Sequence, residues 1–242
     1  MVFVTGVTSG IGRSLVQKIL SVGMECCAIV RDIDKAQQVF SETENRNFVI
    51  TNYEINSFME TVSEAINLSD TQSKISEIIL ILNAFDISPI KMAKEFTKEE
   101  VNKNINFNIA KQIDIAIKVL EFSHSLNIPL KIINLDSGAA YQPISGWSLY
   151  CAGKAYLNMF LRVFSQENNV PLVLYEPGVV DTKMQECIRN SSEANFPMVE
   201  KFRNYHSSGQ LNSPDAVAQD IFDRYLLKWT ANNLRESFNE KK

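Results

Sequence analysis

Six short runs, nearly continuous in apolar residues, punctuate the chain at Val2–Thr5, Cys26–Val30, Phe48–Ile50, Ile78–Leu82, Leu130–Leu135 and Leu172–Tyr175. A strand with one wet face alternates apolar and polar residues; a strand covered on both faces does not, and these runs are of the second kind. Between them lie stretches with the three-and-four spacing of amphipathic helices, at Gly10–Val22, Ile33–Phe40, Ser57–Leu68, Lys98–Ser125, Ser148–Glu167 and Pro214–Lys228. The longest, Lys98–Ser125, leaves room for a break. Pro214 suits a first helical turn after Ser213, where its missing N–H costs nothing. Strand and helix in alternation predict an α/β fold, a parallel sheet whose right-handed crossovers place helices on both faces.

No repeat, low-complexity tract or Pro/Ser-rich linker divides the 242 residues, so the expectation is a single domain over 1–242. The segment from Asp181 to Asn212 has weaker periodicity and follows the sixth run; there it is expected to cover the strands' carboxyl ends as a substrate lid. The polar tail, Thr230 to Lys242, writes a seventh strand only weakly. Net charge is −4 with both signs interspersed, which gives no footprint for nucleic acid or an anionic membrane, so a small molecule is the expected partner. The apolar runs are far shorter than a bilayer span, and the first strand starts at Val2 with no room for a signal peptide, which predicts a cytoplasmic protein. Cys26, Cys27, Cys151 and Cys187 lack CxxC spacing, and the adjacent pair would point to opposite faces of a strand. They are read as reduced structural thiols, with no metal site.

Directly after the first run comes Thr5-Gly6-Val7-Thr8-Ser9-Gly10-Ile11-Gly12, opening the first helical stretch. Glycines there permit a tight turn and close backbone approach, and a helix N-terminus offers free N–H groups to a pyrophosphate. A dinucleotide-binding, doubly wound Rossmann-type fold follows from strand, turn and helix together. The adenosine ribose then lies at the end of the second strand. Arg31 stands there, able to pair with a 2′-phosphate, which favours NADP(H); the competing reading has Asp32 selecting NAD.

Tyr150 is followed by Lys154, so both project from one helical face. Of the seven tyrosines it alone has lysine four residues on, and Ser137 stands at the end of the strand before it. Hydride reduction of a carbonyl leaves an alkoxide that needs a proton, and a free tyrosine, with a pKa of about 10, holds its proton tightly. An ammonium at Lys154 would lower that pKa, and Ser137 would polarise the carbonyl oxygen.

The glycine spacing, the Ser-Tyr-Lys set and the Pro177-Gly178 turn together resemble the short-chain dehydrogenase/reductase family, over Thr5 to Thr182. Two segments, Gly146 to Ala155 and Glu176 to Gln185, look like its sepiapterin reductase and benzil reductase branch. The resemblance implies reduction of a small carbonyl or dicarbonyl compound with NADPH, Tyr150 donating the proton, by a homodimer or homotetramer. It further implies that Gly6, Thr8, Ser9, Gly10, Ile11 and Gly12 cradle the phosphates, that Asn52, where the family often has an aspartate, accepts from adenine, and that Asn83 and Ala84 line the cofactor. Lys154 would also bond the nicotinamide ribose. Pro177, Gly178, Val180 and Thr182 would hold the carboxamide and phosphate, and Asn106, chosen over Asn104 and Asn108 by its helical spacing, would complete a proton relay.

Asn83-Ala84-Phe85 departs from the family's Asn-Ala-Gly, putting a ring where glycine lies beside the cofactor. That ring is either a core aromatic or a wall narrowing the cleft toward flat or compact substrates. No segment around Leu234-Arg235-Glu236 matches the acidic pterin anchor of sepiapterin reductase. Two rivals remain, an NAD-dependent dehydrogenase and a cofactor-binding regulatory protein with little turnover; the intact Ser-Tyr-Lys set argues against the second.

Overall fold

The computed structural model describes residues 1–41, 47–52, 62, 75–231 and 234–238. Its strands are β1 (Val2–Thr5), β2 (Cys26–Val30), β3 (Phe48–Asn52), β4 (Ile78–Leu82), β5 (Leu130–Leu135), β6 (Leu172–Glu176) and β7 (Arg235–Ser237). They form one seven-stranded sheet in the order β3-β2-β1-β4-β5-β6-β7, parallel throughout. The order reverses between β1 and β4, and doubly wound sheets open a crevice at such a point.

Continuous apolarity is explained by the two layers. Val2 and Val4 pack against Leu15, Ile19, Val217 and Ile221, from the helices Gly10–Ser21 and Pro214–Ile221. Phe3 turns the other way, toward Val119 and Phe122 of the helix Lys111–Leu126 and Leu161 of the helix Ser148–Asn168. Each such side chain contributes about 1.5–3 kcal/mol on burial. Cys26 and Cys27 divide the same way between the layers. Burial pushes both thiols up, so neither forms a thiolate at neutral pH.

The Lys98–Ser125 stretch is continuous. The helix Lys98–Ile105 starts on a capping box in which Glu100 N–H donates to Thr97 Oγ1 and Thr97 N–H to Glu100 Oε2. A π-helical turn over Asn106–Ala110 then leads into Lys111–Leu126, so the expected break is one wide turn. Pro214 occupies the first turn of its helix, capped by Ser213. That helix passes at Phe222–Leu226 into a second π turn. The expected helix Ser57–Leu68 lies outside the described residues apart from Val62.

Between β6 and the Pro214 helix, the helices Lys183–Arg189 and Val199–Ser207 form a subdomain tied to itself. Gln185 Nε2 donates to the Phe202 carbonyl, and Arg203 donates to the carbonyls of Arg189 and Ser191. No helix among the described residues is long and apolar enough to cross a membrane.

A buried polar clamp fixes the Ser148 helix to β5. Asn158, 4% exposed, donates through Nδ2 to Asp136 Oδ1 at 2.8 Å and accepts from Asn134 Nδ2 at 2.9 Å. Asn158→Ala leaves the buried Asp136 carboxylate short of a donor. The loss should be about 2–4 kcal/mol, because an unmet charged acceptor costs more than a lost neutral bond. A clear fall in Tm with an unchanged far-UV CD spectrum is the expected outcome; a Tm equal to wild type would show that the clamp contributes nothing.

Candidate active site

The carboxyl ends of β1, β4, β5 and β6 surround a cleft of about 720 Å³. At one end, Gly6 leaves β1 with φ +70, a conformation suited to glycine, and Gly12 lies so close that an added Cβ would stand 2.3 Å from the Gly6 carbonyl oxygen. This close approach seats the N-terminus of the helix Gly10–Ser21 against the cleft, where Thr8, Ser9, Gly10 and Ile11 line the wall. Ser9 makes no side-chain cap. First-turn N–H groups beside a cleft are the means by which a helix holds phosphate. The chain therefore fits a dinucleotide.

Arg31 lines the same end, its guanidinium 5.5 Å from the centre of the Phe107 ring. Asp32 caps the next helix, its carboxylate accepting from Lys35 N–H at 3.0 Å. Asn83 is held from beneath, donating through Nδ2 to the carbonyls of Thr5 and Gly6, both at 3.0 Å. Ala84, Pro177, Gly178, Val180 and Thr182 join it along the cleft. Gly12 and Asn52 are not among the lining residues. Gly12 lies beneath the turn, and Asn52 ends β3 beside Val30.

Ser137, Tyr150 and Lys154 meet at the centre of the cleft. Ser137 follows β5, and its hydroxyl is close enough to Tyr150 to influence the phenol. Tyr150 and Lys154 are 7% and 4% exposed. Burial pushes Tyr150 up to about 12, outweighing the lowering by Ser137, and nearby Asp136 adds to the rise, the opposite direction to that expected from the sequence. Lys154 Nζ is directed at the Leu135 carbonyl, 2.5 Å away, and lies 5.9 Å from the centre of the Tyr150 ring. Burial brings Lys154 down to about 8 against the opposing pull of Asp136.

Asn106 is a correction. It is exposed and does not line the cleft, whereas Asn108 is fully buried. Asn108 clamps the peptide groups of Asp86, accepting from its N–H through Oδ1 and donating through Nδ2 to its carbonyl, both at 2.8 Å. The signal in the sequence was a polar stripe at Asn104, Asn108 and Gln112, four residues apart and all buried. Sequence reasoning also passed over Asp136, whose buried carboxylate accepts from Asn158 and from Tyr141 Oη. It missed, too, the aromatic wall made by Trp147, Phe202 and Tyr205. Trp147 stacks on Phe196 of the subdomain with ring centres 4.8 Å apart. Phe85 lines the cleft and packs against Tyr150 and Lys154.

With this geometry in place, the match to a family model is decisive: the short chain dehydrogenase model covers residues 1–193. This chain belongs to the short-chain dehydrogenase/reductase family. Among curated proteins it is similar to benzil reductase ((S)-benzoin forming) of Bacillus subtilis, 32% identical over 95% of this chain and 94% of that protein. It is similar also to sepiapterin reductase of Rattus norvegicus, 26% identical over 90% of this chain and 87% of the relative. A short chain dehydrogenase/reductase structure from Saccharomyces cerevisiae shares the fold, with a TM-score of 0.81, 21% identity, and coverage of 99% of this chain and 96% of that one.

Gly12→Ala tests the turn. The new methyl would also stand 2.6 Å from Asn83 Nδ2, so backbone must shift, at about 1–3 kcal/mol. A lower Tm together with weakened binding of NADPH and NADH alike is the expected outcome. Wild-type stability and affinity would show that the turn yields without cost.

Proposed function

We propose that this chain is an NADPH-dependent reductase of small carbonyl and dicarbonyl compounds in which Tyr150 donates the proton. The observation that carries the reading is the convergence of Ser137, Tyr150 and Lys154 in the cleft whose other end holds the glycine turn and Arg31. The identity to a benzil reductase supports it. Bound there, a nicotinamide supplies the hydride.

The chain's own residues do the rest. The Ser137 hydroxyl donates to the carbonyl oxygen and draws charge onto it. Tyr150 gives that oxygen its proton as the charge develops. It is protonated at neutral pH, and since burial makes it hold that proton more tightly still, release depends on the charge that Lys154 brings. The Lys154 ammonium then stabilises the phenolate, in a site too dry for water to do so. Phe85, Trp147, Phe202 and Tyr205 favour a flat aryl substrate, and the Lys183–Ser207 subdomain, stacked on the catalytic helix through Trp147 and Phe196, serves as its lid. Tyr156, Met159 and Val163 form an exposed apolar row on that helix, 54%, 56% and 44% exposed, and we read it as the contact face of a homo-oligomer. Arg31, lining the cleft at the glycine-turn end, supports NADPH over NADH.

A panel of aryl and alkyl ketones and diketones, assayed with each cofactor, tests the whole reading; no consumption of NADPH with any of them would overturn it. Arg31→Ala should raise the Kd for NADPH by about tenfold to a hundredfold, the value of a charge-assisted phosphate contact, and leave that for NADH unchanged. Fluorescence titration measures both, and equal losses would count against the assignment. Tyr150→Phe should cost about 10²–10⁴-fold in kcat with NADPH affinity retained; half the wild-type rate would refute its role. Reduction should also fall as pH rises through about 8, because Lys154, lowered by burial, there loses the charge that stabilises the phenolate. A rate constant up to the pH of tyrosine ionisation would exclude Lys154 from that task.

A further inference from the structure

We propose that Phe85 is a positioning residue for the catalytic pair: its ring, seated in a notch left by Gly153, holds the Lys154 ammonium against its face and keeps Nζ beside Tyr150. The inference deepens the reading of the site as a reductase and rests on it for its catalytic meaning.

Three observations carry it. First, the backbone around Phe85 is anchored on both sides. Ala84 N–H donates to Thr5 Oγ1 at 2.9 Å, and Asp86 N–H donates to Asn108 Oδ1 at 2.8 Å. The ring is thus carried on a fixed peptide. Second, its place on the catalytic helix exists because residue 153 is glycine: a Cβ there would lie 3.0 Å from Phe85 Cζ. A large side chain on β4's end and a missing one on the helix are complementary. Third, the ring touches both functional groups. Its centre is 4.0 Å from Lys154 Nζ and 5.4 Å from that of Tyr150, with the two rings nearly perpendicular at 85°.

An ammonium has three donors, and one is taken by the Leu135 carbonyl. A π face offers a second favourable direction where water is excluded, and such contacts strengthen on desolvation. The other charged or titratable groups facing the pair are Asp136 at the end of β5 and, on their own helix, Cys151. Asp86 and Glu176 line the cleft. Of these, Asp136 favours the charged lysine as the ring does, while burial opposes it.

The test is an NMR titration of the Lys154 side chain, in protein carrying ¹³C-labelled lysine and without cofactor, with the signal assigned by its loss in Lys154→Arg. Phe85→Leu keeps an apolar group but removes the π face, so the Lys154 midpoint should fall by roughly half to one and a half pH units. Phe85→Tyr keeps the face and should titrate with wild type. Gly153→Ala, which crowds the ring off its seat, should move the midpoint as Phe85→Leu does and decides the matter if that variant fails to fold. In active protein, the alkaline limb of kcat should move in the same direction for both. A Phe85→Leu midpoint equal to or above wild type would overturn the proposal. If the wild-type chain reduces no carbonyl, the reductase reading falls, while the lysine titration still decides what Phe85 does.

Discussion

The carboxyl ends of β1 and β4, where the strand order reverses, are held by one buried hydroxyl. Thr5 Oγ1 accepts from the N–H groups of both Asn83 and Ala84 at 2.9 Å, and Asn83 returns two bonds to the carbonyls of Thr5 and Gly6. Two parallel strands diverging toward solvent would otherwise leave these polar groups unmet in a dry place. The knot fixes the Gly6 turn against which Gly12 packs, and through Ala84 it fixes the peptide that carries Phe85. Both ends of the cleft thereby hang from a single junction.

From there the site is a contest between burial and charge. Burial disfavours the charged forms of both Tyr150 and Lys154, and Asp136, itself buried and held by Asn158 and Tyr141, favours the ammonium but not the phenolate. Tyr141 is in turn stacked under the Arg235 guanidinium, 3.9 Å from its ring centre. Polar contacts thus run from the last strand of the sheet through Tyr141 to the buried Asp136 beside Lys154.

The layers were legible because strands buried on both faces can be written only in apolar residues, and β1, β2 and β4 are buried along their whole lengths. The glycine turn and the Ser-Tyr-Lys set were legible because their spacing is local. Asn106 was chosen over its buried neighbours because the choice depends on which face of a helix is buried: it stands two residues from both Asn104 and Asn108, on the exposed side. Burial of Tyr150 could not be read at all, since it comes from packing against Trp147 and Phe85, distant in sequence or hidden in a helix turn. β7 was faint for another reason. Arg235, Glu236 and Ser237 carry no apolar pattern, and the strand is held by backbone pairing to β6 and by ion pairs from Arg224 to Glu236 and from Arg235 to Glu176.

That polar strand has a consequence for how the molecule meets its neighbours. A parallel sheet ends in a row of unpaired backbone groups, a template on which a stranger's extended segment can add itself. Here the outermost strand on the β6 side is only three residues long, and two of its side chains are charged and engaged. An incoming strand would gain few hydrogen bonds and would have to strip paired charges to lie flat. That border is therefore poorly suited to strand addition, and substitutions that lengthen or neutralise β7 would open the sheet to it before they disturbed the cleft.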